Sequence, residues 1–160
     1  PEAQLDRFGI SFTIGYPDSN EEARIISMYS NEEASSFTLE TAVEEVTSPE
    51  VVVNIRREVL NLHVDDKIVT FLTQISRETR RNSNIKLGMS PRATLHLLKA
   101  AKSRAFLLGR EYVLPEDVLA AIEIVLKHRI ILSPEARMES KTVEEVLGAL
   151  LKPIPLPTGL

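Results

Sequence analysis

What most narrows the fold of this chain is a start signal that recurs along it: a capping side chain, then a proline or acid, then apolar residues every three to four positions. Ser48-Pro49 and Ser90-Pro91 are two such starts. A serine at the cap can accept an orphan amide of the first turn, and a proline behind it has φ preset and no N–H to leave unpaired. Asp18 with Glu21, and Thr142 with Glu145, have the three-residue spacing of a capping box. A third helix is expected from about Asp65 to Arg81, with Ile68, Phe71, Leu72 and Ile75 inward and Arg77, Arg80 and Arg81 at its far end.

The remaining faces follow the same period. Ala23, Ile26 and Tyr29 line the helix opened by Pro17-Asp18, and Val51, Ile55, Val59 and Leu62 line the one opened by Ser48. Leu98, Ala101, Ala105 and Leu108 mark the long helix after Ser90, closed by Gly109. Pro115-Glu116-Asp117 opens a helix through Val118, Ile122 and Val125 to His128-Arg129, although Leu114 stands where a hydroxyl or carboxylate cap is expected. Val143, Val146, Leu147 and Leu150 give the last helix its stripe. Five or six amphipathic helices with short joints predict a mainly α chain, an orthogonal helical bundle. The segment 31–47 is acidic and weakly periodic, and reads as a connection.

One segment has the other period. Ile10, Phe12 and Ile14 alternate with Ser11 and Thr13, which predicts a short strand. A lone strand has no ladder partner, so its sheet is expected upstream, in polypeptide preceding Pro1.

Charge and composition remove several classes of function. Nineteen basic against 23 acidic residues, spread along the chain, give a net charge of −4 and no basic field for nucleic acid. With no cysteine and three widely spaced histidines, thiolate metal sites, disulfides and a structural zinc are excluded. No apolar run approaches the roughly 18 residues of a membrane span, and PEAQLDRF lacks the regions of a signal peptide, so a cytoplasmic location without membrane insertion is expected.

Three arginines sit oddly. Arg92 is the second helical residue after Ser90, where a cation opposes the helix dipole at roughly 0.3–1 kcal/mol. Free N–H groups beside a guanidinium make an anion site, with Gly88 allowing close approach; a solvent-exposed or ion-paired arginine is the plainer alternative. Arg7, between Asp6 and Phe8 ahead of the strand, reads either as a functional side chain at a strand edge or as a salt-bridge partner. Arg129 and His128 are explained as cations at a helix C-terminus and are assigned no chemistry. His63 and His96 have no companion carboxylate or nucleophile at useful spacing.

Several segments together resemble one family. PEAQLDRF at 1–8, IGYPD at 14–18, VDDKIVTFL at 64–72, LGMSPRATLHLLKAAKSRAFLLGREYVLPEDV at 87–118 and HRIILSPEAR at 128–137 are similar to the C-terminal half of MoxR-type AAA+ ATPases. The likeness runs in order over nearly the whole chain, and the acidic region from about 31 to 47 is the part left unmatched. It implies that residues 1–16 are the end of an α/β ATPase core, that 17–152 form the helical lid subdomain, and that 153–160 are an extended proline-rich tail. It further implies that Arg7 is an arginine finger acting in trans on the γ-phosphate of a neighbouring subunit, and that Arg92 is the sensor 2 residue. ATP with Mg is the cofactor implied for the full-length protein. A homo-oligomeric ring, a hexamer, is the implied assembly, remodelling or maturing protein clients, often with von Willebrand factor A domain partners.

Departures from the pattern bear on activity. A phosphate-binding G-x-x-x-x-G-K-[ST] loop is absent, since none of the six glycines has that context, and no apolar run ends in paired acids to hold magnesium. The chain by itself is therefore expected not to hydrolyse ATP. The competing functional class is a stand-alone helical interaction module with no nucleotide chemistry, against which the orphan strand argues.

Overall fold

A computed structural model of the protein describes residues 2–30 and 44–159. In chain order the elements are α1 (Glu2–Leu5), α2 (Ser19–Tyr29), α3 (Pro49–Asn61), α4 (Asp66–Arg81), β1 (Ile85–Leu87), α5 (Pro91–Leu107), α6 (Pro115–Leu126), β2 (Ile131–Leu132), α7 (Pro134–Met138) and α8 (Val143–Leu151). The mainly helical expectation is met. By compactness the chain divides into two units, one of Pro1–Phe12 with Arg56–Leu160 and one of Thr13–Ile55.

The first unit holds the core. In α4, Ile68, Phe71, Leu72 and Ile75 are buried as the sequence predicts. The inward face of α5 is Ala93, Leu97, Ala101 and Ala105, so it is rotated from the expected one: Leu98 is only partly covered and Leu108 is 56% exposed. Where Leu97 and Leu98 are both apolar, period alone cannot fix the phase of a helix. Alanine at three of the four inward positions lets a neighbour approach closely. The neighbour is α6, whose Val118, Ala121, Ile122 and Val125 are buried.

Helix ends follow their caps. Ser90 Oγ accepts Ala93 N–H at 3.0 Å, and Thr142 and Glu145 form a reciprocal capping box. After α5, Gly109 takes φ +71°, a left-handed turn that glycine adopts without strain, and Arg110 N–H returns to Ala105 O at 3.0 Å. Leu114 needs no side-chain acceptor. Its own carbonyl takes the Asp117 N–H at 3.0 Å, its own N–H goes to the Asp117 carboxylate at 2.9 Å, and Pro115 has no N–H to satisfy.

Strands are where the sequence reading goes astray. Residues 10–18 form no regular structure: Ser11 N–H donates to Ile124 O at 2.7 Å, no strand lies alongside among the described residues, and Ile10, Phe12 and Ile14 are 50%, 70% and 83% exposed. Alternation predicts a strand only if a ladder partner is present. The sheet that does form is antiparallel, β1 with β2, pairing Ile85 with Leu132 and Leu87 with Ile131. Both strands are too short for periodicity to show. A third serine-proline start, Ser133-Pro134, opens α7, with Ser133 Oγ accepting Ala136 N–H at 3.3 Å.

The second unit carries α2 and the first half of α3. The capping box at Asp18 and Glu21 forms, but α2 buries no residue, and Ile26 and Tyr29 are 64% and 70% exposed. The stripe expected on α3 is likewise uncovered at Val51 and Ile55; Leu62, just beyond the helix, is buried in the first unit. Most of the acidic connection lies outside the described residues. The tail runs on from a buried Ile154, and Lys67 Nζ holds it through Thr158 O and Gly159 O at 2.8 and 2.7 Å.

Candidate functional site

The site begins with the way the start of α5 is fixed. Both backbone polar atoms of Met89 are tied to the end of α4: its N–H donates to Thr79 Oγ1 at 3.0 Å, and its carbonyl accepts Arg80 Nε at 2.7 Å. Thr79 passes its own hydroxyl proton to Ser76 O at 2.8 Å, and the Met89 side chain is buried. Gly88 is glycine because α4 passes here. A Cβ on it would lie 2.7 Å from Thr79 C and O, so the close approach inferred for this glycine is that of backbone, not of an anion.

Ser90 then serves two partners. Its hydroxyl caps α5 and donates to Asp6, whose carboxylate oxygens both lie at 2.9 Å. Asp6 thus supplies a negative charge at the positive end of α5, the position such a charge favours. Two residues further on, Arg92 is exposed and makes no hydrogen bond or ion pair among the described residues. Arg7, next to Asp6, is likewise exposed, and its guanidinium has no hydrogen-bond or ion-pair partner among the described residues, although its backbone N–H donates to Gln4 O at 3.2 Å. Both candidate arginines are therefore free cations, and Asp6 joins the segment of one to the cap of the other's helix.

What holds Asp6 is a residue that the sequence reading passed over. Arg129 is 5% exposed, and its guanidinium turns back onto the segment around Arg7. Nε pairs with Asp6 Oδ1 at 3.2 Å, Nη1 donates to Gly9 O at 3.1 Å and to Val125 O, and Nη2 donates to Asp6 O at 3.3 Å and to Phe8 O. His96 Nδ1 lies 3.1 Å from Nη2. Explaining Arg129 as a dipole partner was thus incomplete: it is a buried hub with every nitrogen engaged. Burial pulls its pKa down, against the Asp6 hydrogen bond and charge. His128, read in the same way, reaches Phe8 O through Nε2 at 3.2 Å, which leaves its buried Nδ1 without a partner.

His96 belongs to this cluster as well. Burial, then the Arg129 charge, hold its pKa below the usual histidine value, which keeps Nδ1 free to accept. A cleft of about 350 Å³ opens between Leu5-Asp6 and Gly88-Ser90, with Arg129 in its wall. Among the described residues no group of three or more His, Asp or Glu could hold a metal ion. No signal in one sequence joins residues 6, 90, 96 and 129, because the contacts span up to 123 positions.

Two unpaired guanidiniums with planar donor forks suit phosphate oxygens, and a capped helix N-terminus adds partial positive charge. Residues 77–150 match the AAA lid domain model. An uncharacterized protein of Bacillus subtilis, YeaC, is 36% identical over 157 residues, 98% of this chain and 48% of that protein. Chaperone MoxR1 of Mycobacterium tuberculosis is 30% identical over 166 residues, 98% of this chain and 42% of that protein. The crystal structure of a candidate ATPase from Cytophaga hutchinsonii superposes with a TM-score of 0.81 at 29% identity, covering 99% of this chain and 49% of that one. The chain spans about half the length of these relatives.

Proposed function

Because this chain belongs to the MoxR-type AAA+ ATPases, whose lid domain it carries, we propose that it is the lid-bearing portion of a longer ring-forming ATPase. In this reading Arg7 is the arginine finger and Arg92 the sensor 2 residue. The observation that carries it is the pair of exposed, unpartnered guanidiniums whose segments are joined through Asp6 and Ser90. Arg7 stabilises charge developing on the γ-phosphoryl oxygens of a neighbouring subunit's nucleotide, and Arg92 grips phosphate at the start of α5. Asp6 ties the two segments together through the Ser90 hydroxyl.

ATP with magnesium is the proposed cofactor. The unpaired arginines fit its phosphates, whereas the described residues offer no ligand set for the metal, which the reading leaves to the rest of the ATPase. Residues 1–16 are proposed as the end of the ATPase core, 17–152 as the lid, and 153–160 as the tail. The assembled ring, a hexamer, acts on protein clients in a chaperone-like role, with von Willebrand factor A domain proteins as proposed partners. No helix among the described residues is long and apolar enough to cross a membrane.

The test uses the longer protein. Arg7→Ala should lower ATP turnover by about 10³-fold or more while leaving ATP affinity nearly unchanged, since a finger acts on the transition state. Arg92→Lys should weaken the nucleotide response because the planar fork is lost. Normal turnover and normal affinity in both variants would overturn the assignment.

A further inference from the structure

We infer that Arg129 is a positioning residue for the phosphate-facing pair: it holds residues 6–9 against the start of α5 so that Arg7 projects at a set place beside Arg92. This rests on the finger reading of Arg7.

Arg129 is nearly inaccessible, at 5% exposure, so it cannot itself meet a phosphate. Its donors go to acceptors on both sides of Arg7: the carboxylate and carbonyl of Asp6 before it, and the carbonyls of Phe8 and Gly9 after it. The Asp6 carboxylate and the carbonyls of residues 6, 8 and 9 are all held by Arg129, while the Arg7 side chain between them is exposed and takes no part in these bonds. His128 adds a second hold on the Phe8 carbonyl at 3.2 Å. Segment 6–9 has no sheet ladder to fix it, so these bonds take the place of one.

The connection to Arg92 runs through Asp6. The same carboxylate that receives Arg129 Nε receives the Ser90 hydroxyl, and Ser90 is the cap of the helix on which Arg92 stands. If Arg129 lets go, the segment is free to shift relative to α5, and the two free arginines lose their common frame. Lysine cannot stand in, because one ammonium has three donors and no fork to reach the carboxylate and the carbonyls together. A misplacement of about 1 Å in a group that acts on the transition state can cost about 100-fold in rate.

The deciding experiment is a double-mutant cycle on ATP turnover in the longer protein, with Arg129→Met, Arg7→Ala and the two combined. Arg129→Met should lower kcat roughly 10- to 100-fold, with KM for ATP changed less than about twofold because binding energy common to ground and transition states is untouched. In the Arg7→Ala background the same change should lower turnover less than about twofold further, because its effect passes through Arg7. A merely structural role for Arg129 would instead multiply with Arg7→Ala. Should Arg129→Met not fold, Asp6→Asn, which keeps the side-chain shape and removes the charge, is carried through the same cycle with the same criteria. Full activity of a folded Arg129→Met beside a crippled Arg7→Ala, or multiplicative effects, would overturn the positioning role alone. Normal turnover of Arg7→Ala would overturn the finger reading and this inference with it.

Discussion

Replacing Asp117 with asparagine should cost this fold about 3 kcal/mol. Asp117 is fully buried, and its carboxylate accepts Arg110 Nη1 at 2.7 Å, Arg110 Nη2 at 2.6 Å and the Leu114 N–H at 2.9 Å, with Arg104 Nε at 3.5 Å. Asparagine keeps the shape but removes the charge and turns one acceptor into a donor facing Arg110. Breaking a buried ion pair by changing one partner costs about 3–5 kcal/mol. The Arg110 side chain is 21% exposed and can recover some water, which sets the expectation at the lower end. At about 4 °C per kcal/mol for a domain of this size, Tm should fall by about 12 °C. Urea unfolding followed by circular dichroism at pH 7 measures the free energy directly, and calorimetry the Tm. A loss under about 1 kcal/mol, the range of an exposed ion pair, would refute the reasoning.

Acid gives a second check on the same group. Burial pushes the Asp117 pKa up, but the Arg110 hydrogen bonds and charge and the Leu114 amide outweigh it and hold the pKa below the usual carboxylate value. A depressed folded-state pKa stabilises the fold above the unfolded value of about 3.9 and loses that stabilisation as pH falls through the folded one. The stability gap between the natural chain and Asp117→Asn should therefore be constant above about pH 5 and shrink on acidification below about pH 4. A gap that stays constant down to about pH 2 would exclude the charge as its source.

Two glycines should respond in opposite directions to alanine. Gly88→Ala drives a Cβ to 2.7 Å from the Thr79 backbone and should destabilise by about 1–3 kcal/mol, whereas Gly148→Ala in α8 meets nothing within 4 Å and should stabilise by about 0.5–1 kcal/mol; equal signs in urea titrations would contradict the packing described. His96 accepts from Arg129 only while neutral, and its lowered pKa means stability is present above pH 6.5 and lost as pH falls through the folded value. Between about pH 6.5 and 5 the natural chain should therefore lose more Tm than His96→Gln does, and parallel slopes would show that His96 does not titrate against Arg129.

Much of the fold was legible in the sequence because helix starts are local. Serine, threonine or aspartate caps, proline at the first turn and glycine at positive φ act within four residues of themselves, so α2, α4, α5 and α8 begin where their sequences say. The inward face of α4 was equally clear, since polar residues flank its apolar stripe. Less was legible where the outcome depends on a neighbour. Ile10–Ile14 has a strand's alternation but no partner strand among the described residues, and the α5 face turned toward Leu97 because α6 packs against alanines.

The candidate site divides in the same way. Arg7 and Arg92 stand out by sequence, one beside an acid ahead of an alternating segment and the other as a cation at a helix N-terminus. That their segments are tied together was decided by tertiary structure alone. Arg129, at a helix end where a cation is unremarkable, turns back into the interior and binds a segment more than a hundred residues away, with Asp6 bridging to Ser90. Capping and periodicity are short-range consequences of backbone hydrogen bonding and side-chain spacing, so a single sequence records them. A buried guanidinium's partners are chosen only once packing excludes water and leaves those acceptors within reach.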